Sequence, residues 1–176
     1  MPWVGVILRR WTNELRSDWF HRPTPSRRLP EFCVEFEVGG GGRRKGWELP
    51  KGGMDPSDAN HFATARRELW EETGVWLSWR PTGTFVWVTS DGGTIEGNPA
   101  PGQNAWLCVD LEAGDTRDNR RSPPRWMTVE EFASFSWRND HLRLLEEVEF
   151  IQTREELLHP AILSYWEIQR PNMDHR

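Results

Sequence analysis

The chain has 176 residues, a length that fits one domain with a core of its own. Hydrophobic residues at 36% and charged residues at 28% exclude a disordered chain, and no apolar run reaches the ~20 residues that a membrane-spanning helix needs. A net charge of −5 argues against a broad nucleic-acid surface, yet a metal ion or a few local cations would still hold a small anionic ligand.

Residues 3–9 read as a strand. Their apolar part is too short for a signal peptide and has no basic leader, so the expected location is cytoplasmic, with the nucleus as the other option. Residues 10–30 are polar, contain three prolines, and read as a long loop or insertion. Residues 31–38 alternate as a strand does. Gly39 to Gly42 form a turn, followed by the basic run Arg43-Arg44-Lys45. Trp47 to Pro50 read as a short strand ending in a tight loop at Lys51-Gly52-Gly53. A helix follows, capped by Asp58 or Asn60 and closed by Gly74, with Phe62, Ala65, Leu69 and Thr73 on one stripe.

Two further strands are expected over 84–89 and 105–111, separated by the Gly/Pro-rich stretch 90–103. Arg125-Trp126-Met127 reads as a strand, and Thr128 with Glu131 forms a capping box that opens the next helix. Residues 140–168 read as a C-terminal helical extension, and no second domain is expected within 1–176. Cys33 and Cys108 sit among apolar neighbours and read as buried, reduced thiols. Twelve tryptophans stand against one tyrosine. Trp3, Trp87, Trp106 and Trp126 read as core, whereas Trp11, Trp19, Trp79 and Trp137, in polar surroundings, are candidates for stacking on a base.

Chemistry concentrates on the first helix. Glu68, Glu71 and Glu72 are spaced i, i+3 and i+4 and share a face. Like charges at this spacing destabilise a helix, and a cation reverses that cost. Carboxylate oxygens are hard ligands that suit Mg²⁺, with Mn²⁺ as the alternative. A glutamate-rich helix face is ordinarily just solvated. Here Arg67 would orient a carboxylate, and the glycines beside Lys51 would let backbone groups approach a metal or phosphate. His61, near the same face, reads as a surface histidine at the helix start, with contact to a phosphate or a carboxylate as the other reading.

The run Arg67-Glu68-Leu69-Trp70-Glu71-Glu72-Thr73-Gly74-Val75 resembles the second half of the Nudix hydrolase signature. The first half departs from it. Gly52 plus five residues reaches Asp58 where the family has Glu, and eight residues instead of seven then precede Arg67. Counting from Gly53 keeps both spacings but puts Ala59 at the Glu position. The element order over residues 3–150 also follows the family. The segments Trp47 to Gly52 and Arg125 to Glu131 look like those of the dinucleoside polyphosphate and diphosphoinositol polyphosphate branches.

The resemblance implies an α+β fold, an α/β/α sandwich with a mixed sheet flanked by helices. It implies hydrolysis of a diphosphate linkage X–P–P–Y in a nucleoside or dinucleoside polyphosphate. Arg67, Glu68, Glu71 and Glu72 are then the catalytic group. Glu71 and Glu72 are the principal metal ligands, and Glu68 is a ligand or the base. Asp58 and a carbonyl near Gly52 are further candidates for the metal shell. Lys51, Arg43, Arg44 and Lys45 would hold the phosphates, and Arg117, Arg120 and Arg121 form a second basic cluster. A base from a later loop would be Glu96, Glu112, Asp115 or Asp118. Other readings are an inositol pyrophosphate substrate, a capped or triphosphorylated RNA end, and a Nudix-fold binding module with weak catalysis.

Overall fold

The computed structural model describes residues 1–14, 27–37, 46–77, 84–111, 116–118, 125–151 and 154–155. In chain order these form β1 (Trp3–Glu14), β2 (Arg27–Glu37), β3 (Gly46–Glu48), β4 (Lys51–Gly53), α1 (His61–Thr73), β5 (Val75–Leu77), β6 (Thr84–Val88), β7 (Thr94–Ile95), β8 (Ala105–Asp110), β9 (Thr116–Asp118), β10 (Arg125–Met127), α2 (Val129–Phe135), α3 (Asn139–Val148) and β11 (Arg154–Glu155). The main sheet runs β10-β2-β1-β8-β6-β11, with β3 on β2, β4 on β1 and β7 on β6. β1 and β8 are parallel while the neighbouring pairs are antiparallel, so the sheet is mixed.

Strand alternation divides the core into two layers. Val4, Val6 and Leu8 of β1 and Ala105, Leu107 and Val109 of β8 pack with Phe62, Ala65 and Leu69 of α1. Ile7, Trp106 and Cys108 point the other way and pack with Phe132 of α2 and Leu144, Leu145 and Val148 of α3. The result is the expected α/β/α sandwich. Cys33 and Cys108 are buried free thiols, and burial pushes Cys108 up to about 12. Trp87 and Trp106 are buried, and Trp3 and Trp126 pack against the core at its margin. Trp11 and Trp137 are half-buried, whereas Trp19 and Trp79 lie outside the described residues. Among the described residues, no helix is long and apolar enough to cross a membrane.

Four local readings are corrected. The polar segment 10–30 is not all loop: its ends prolong β1 and β2, paired from Trp11↔Pro30 to Glu14↔Arg27. Polar strands hold here through cross-strand contacts, such as the Arg10–Glu31 ion pair at 3.0 Å and the Arg10 guanidinium 4.2 Å from the Trp126 ring. Residues 15–26 lie outside the described residues. Lys51-Gly52-Gly53 is a strand rather than a tight loop, because its backbone pairs with Trp3 to Gly5.

The helix expected over 140–168 ends at Val148, and Arg154-Glu155 is a strand; 156–168 lie outside the described residues. Arg9 accounts for the stop. Its buried guanidinium, paired with Asp110 at 2.6 Å, donates to the carbonyls of Val148 and Glu149 at 3.2 Å each. A cation from the sheet thus satisfies the helix terminus that a further turn would otherwise cover. Finally, His61 is buried, with Nε2 2.6 Å from the Gln103 carbonyl and its ring edge-on to Trp87. The Gly/Pro-rich stretch closes over the helix start. The β5–β9 pair was not read from the sequence, since three-residue strands carry no periodicity.

Candidate active site

Asn60 caps α1 by accepting from the Ala63 amide at 2.9 Å, and Gly74 ends it in the left-handed region with φ 74°. Between these stops, Arg67 is the hub. Its Nη2 donates to Asp58 Oδ2 at 2.8 Å and to the Gly53 carbonyl at 2.9 Å, and its Nε donates to Asp58 Oδ1 at 3.1 Å. Its Nη1 donates to Glu68 at 2.8 Å and Glu71 at 3.1 Å. These carboxylates hold the guanidinium above its usual range, with Asp58 the strongest contributor.

Asp58 is thereby committed to Arg67. Burial pushes its carboxyl up, but Arg67, the Asp55 amide and the Thr64 hydroxyl together bring it below the usual range. The shortened, shifted acid thus reaches the arginine from the turn before the helix, which absorbs the extra residue in the spacing.

The three helix glutamates take different directions. Glu68 is buried, and its carboxylate lies where a Cβ on Gly52 would stand. Burial raises its carboxyl, against the pull of Arg67. Glu71 is exposed. Glu72 accepts from the Lys51 amide at 3.0 Å. Glu68 and Glu72 therefore both reach the β4 backbone at Lys51-Gly52, and Glu71 is exposed beside Arg67.

Glu72 also meets a residue that sequence reading missed. Glu35 of β2 is hydrogen-bonded to it across the helix–sheet boundary. Burial, with the facing carboxyl next, pushes Glu72 up to about 10; burial also pushes Glu35 up to about 7. Glu35 lies opposite Glu48 of β3 in register, and carboxylate oxygens of Glu35, Glu37 and Glu48 all lie within 4.8 Å of one another. Two-residue spacing puts Glu35 and Glu37 on one strand face, the only signal the sequence carried. Carboxyls this close need shared protons or a cation. Among the described residues, Glu35, Glu37 and Glu48 are the acidic side chains whose oxygens lie close enough together to share a hard divalent cation, while Glu68, Glu71 and Glu72 offer the same oxygen donors but turn in different directions.

Around this centre, Arg138 Nη1 donates to Glu48 at 2.8 Å, Phe36 meets Trp47 edge-on at 5.1 Å, and Trp137 lies against Gly46. The Lys51 ammonium lies 5.2 Å from the Trp3 ring centroid. Arg43, Arg44, Lys45, Arg120, Arg121, Glu112 and Asp115 fall outside the described residues. Glu96 is exposed after β7; the backbones of Asp118 and Arg117 pair with Val75 and Trp76 beyond the end of α1.

Comparison with known proteins bears on the family and the fold. The family model of the NUDIX domain matches residues 38–148. Similar solved folds include a Nudix hydrolase of M. smegmatis, RenU, at 13% identity over 84% of this chain and 83% of that one, with TM-score 0.50. A protein of Listeria monocytogenes described as a NUDIX hydrolase has 16% identity over 85% and 92%, TM-score 0.50. The C-terminal domain of mouse MUTYH, solved in complex with human PCNA, has 13% identity over 84% and 86%, TM-score 0.51. At such identities the likeness is one of fold. With the domain model covering most of the chain and the signature residues in place on α1, this protein belongs to the Nudix hydrolase family.

Proposed function

We propose that the chain hydrolyses a diphosphate linkage in a nucleoside or dinucleoside polyphosphate, with Mg²⁺ as the ordinary cation and Mn²⁺ as a substitute. The observation that carries this reading is the contact of Glu72 with the Lys51 amide and of Glu68 with Gly52, with Arg67 bridging Glu68 and Glu71. Glu71 and Glu72 would hold the cation, with Glu35 beside them. When bound, the ion neutralises phosphate charge and acidifies a water. The chain's own part is positioning and proton handling. Arg67 engages Oε1 of Glu68, which leaves Oε2 to accept a proton from the attacking water. Asp58 keeps Arg67 in place for that task.

The nucleotide part rests on Trp137, which lies against Gly46 on the strand face that carries Glu48, whereas Phe36 and Trp47 meet on the opposite face. A base has a π-face to stack there, and an inositol ring has none.

The test is a panel of nucleoside triphosphates, dinucleoside polyphosphates, inositol pyrophosphates and capped or triphosphorylated RNA. Each is incubated with purified protein and Mg²⁺ or Mn²⁺ while phosphate release is followed. Hydrolysis of the nucleotides and its loss in Glu71→Gln and Glu72→Gln are expected. A wild type inert on every compound, or no slower after either substitution, overturns the reading.

A further inference from the structure

Four consecutive residues before the active centre are each gripped by the α2–α3 connection or the first turn of α3. Trp137 lies on Gly46, and Ser136 Oγ donates to the Trp47 carbonyl at 2.6 Å. Arg138 pairs with Glu48 at 2.8 Å, and the Leu49 amide donates to Nδ1 of His141 at 3.1 Å. The next three residues carry the site. The Pro50 carbonyl accepts from the Val6 amide at 2.9 Å, the Lys51 amide donates to Glu72, and Gly52 lies against Glu68.

The His141 contact stands apart from the other grips. Leu49 lies between the end of β3 and the start of β4 and is fully buried. Proline has no amide to give, so Leu49 is the last backbone donor before Lys51. Without the imidazole its N–H would be a buried orphan. The imidazole itself is held edge-on to Trp106 at 5.2 Å, and Trp106 meets Trp3, whose other neighbour is the Lys51 ammonium.

Because Nδ1 accepts a hydrogen bond, the ring hydrogen sits on Nε2. That atom is buried and has no hydrogen-bond partner among the described residues, and Asp140 Oδ2 lies 4.0 Å away. A leucine would suit this face, where Leu144, Leu145 and Val148 pack. Burying a ring with one unsatisfied N–H is costly. The contact that offsets this is the one to Leu49.

We infer that His141 is a positioning residue of the active centre, which through Leu49 holds Lys51 and Gly52 in register against Glu72 and Glu68. The inference rests on the proposed hydrolase reading for its kinetic readout, but not for its binding and exchange readouts.

The test compares His141→Leu, which fills the space without an acceptor, with His141→Asn, whose Oδ1 can accept from Leu49. Hydrogen exchange at the Leu49 and Lys51 amides, Mn²⁺ affinity of the full chain, and kcat and KM on a substrate from the panel are measured. In His141→Leu, exchange at both amides is expected to rise and Mn²⁺ affinity to fall roughly 10-fold. Its kcat should drop by about the same factor with KM nearly unchanged, and His141→Asn should recover most of each loss. Should His141→Leu fail to fold, His141→Ala is read in the same way. Wild-type exchange and Mn²⁺ affinity in the acceptor-less variant overturn the inference, as does an Asn variant no better than it. A wild type that hydrolyses nothing overturns the hydrolase reading instead, and exchange and Mn²⁺ binding still decide the role of His141.

Discussion

The Glu68 carboxylate rests on the Cα of Gly52, filling the space that any side chain at position 52 would need. Glycine is required there for close approach, not for an unusual backbone angle. Gly52→Ala should push Glu68 off Arg67 and lower activity on the order of 100-fold. The fold should lose only about 1–3 kcal/mol. Gly53→Ala is the control, since a Cβ there meets nothing within 4 Å. Activity and thermal midpoints of the two variants check the contrast; equal loss in both would remove the special role of Gly52.

Asp58 should act through Arg67. Asp58→Asn should cost about 1–2 kcal/mol, a value kept low because Arg67 is partly exposed. The Asp58 carboxyl is depressed below its reference of 3.8, so the pair's stabilisation is full above that value and lost as pH falls through the lower folded one. Thermal midpoints of wild type and Asp58→Asn should therefore differ at pH 6 and converge in strong acid. A gap that persists in acid would mean that the charge pair is not its source.

Glu35 should oppose stability without a cation. Burial and the facing carboxyl raise both Glu35 and Glu72 above 4.5, so the folded chain binds more protons than the unfolded one, and metal-free stability should fall as pH rises above 4.5. Glu35→Gln should flatten that decline and also reduce the stabilisation given by Mn²⁺. Melting curves with Mn²⁺ and with chelator, at pH 5 and 9, decide this. An unchanged Mn²⁺ response would place Glu35 outside the metal environment.

His141 should set the acid side. Burial first, then the charges of Arg138 and Lys51, depress the ring to about 3 against the favourable pull of Asp140. A histidine that takes no proton when folded, but does so at 6.5 when unfolded, withdraws stability as pH falls from 6.5 towards 3. The slope is about 1.4 kcal/mol per pH unit at most. His141→Asn should unfold less steeply in that window. Urea midpoints measured from pH 7 to pH 4 provide the comparison, and parallel curves would count against it.

How far the sequence reached depended on the range of the forces involved. The first helix, from the Asn60 cap to Gly74, was legible because caps and the 3.6-residue period act within a few positions. So was the capping box of Thr128 and Glu131, and so was the Nudix resemblance, which is local in the chain. The contacts that complete the centre are not local. Glu35 reaches Glu72 only because β2 brings it beneath α1, and Leu49 finds His141 across 92 positions because α3 packs on that face of the sheet. Asp58, a candidate for the metal shell from its place in the signature, is delivered to Arg67 by the turn before the helix. Residues 10–14 and 27–30 read as loop because polarity hides a strand whose ladder is satisfied by a distant partner. Sequence determined where the candidate acidic residues lie along the chain and which of them share the first helix. Only the packing of sheet against helix decided which carboxyls and amides would share a dry, crowded space, since burial and register depend on every layer at once.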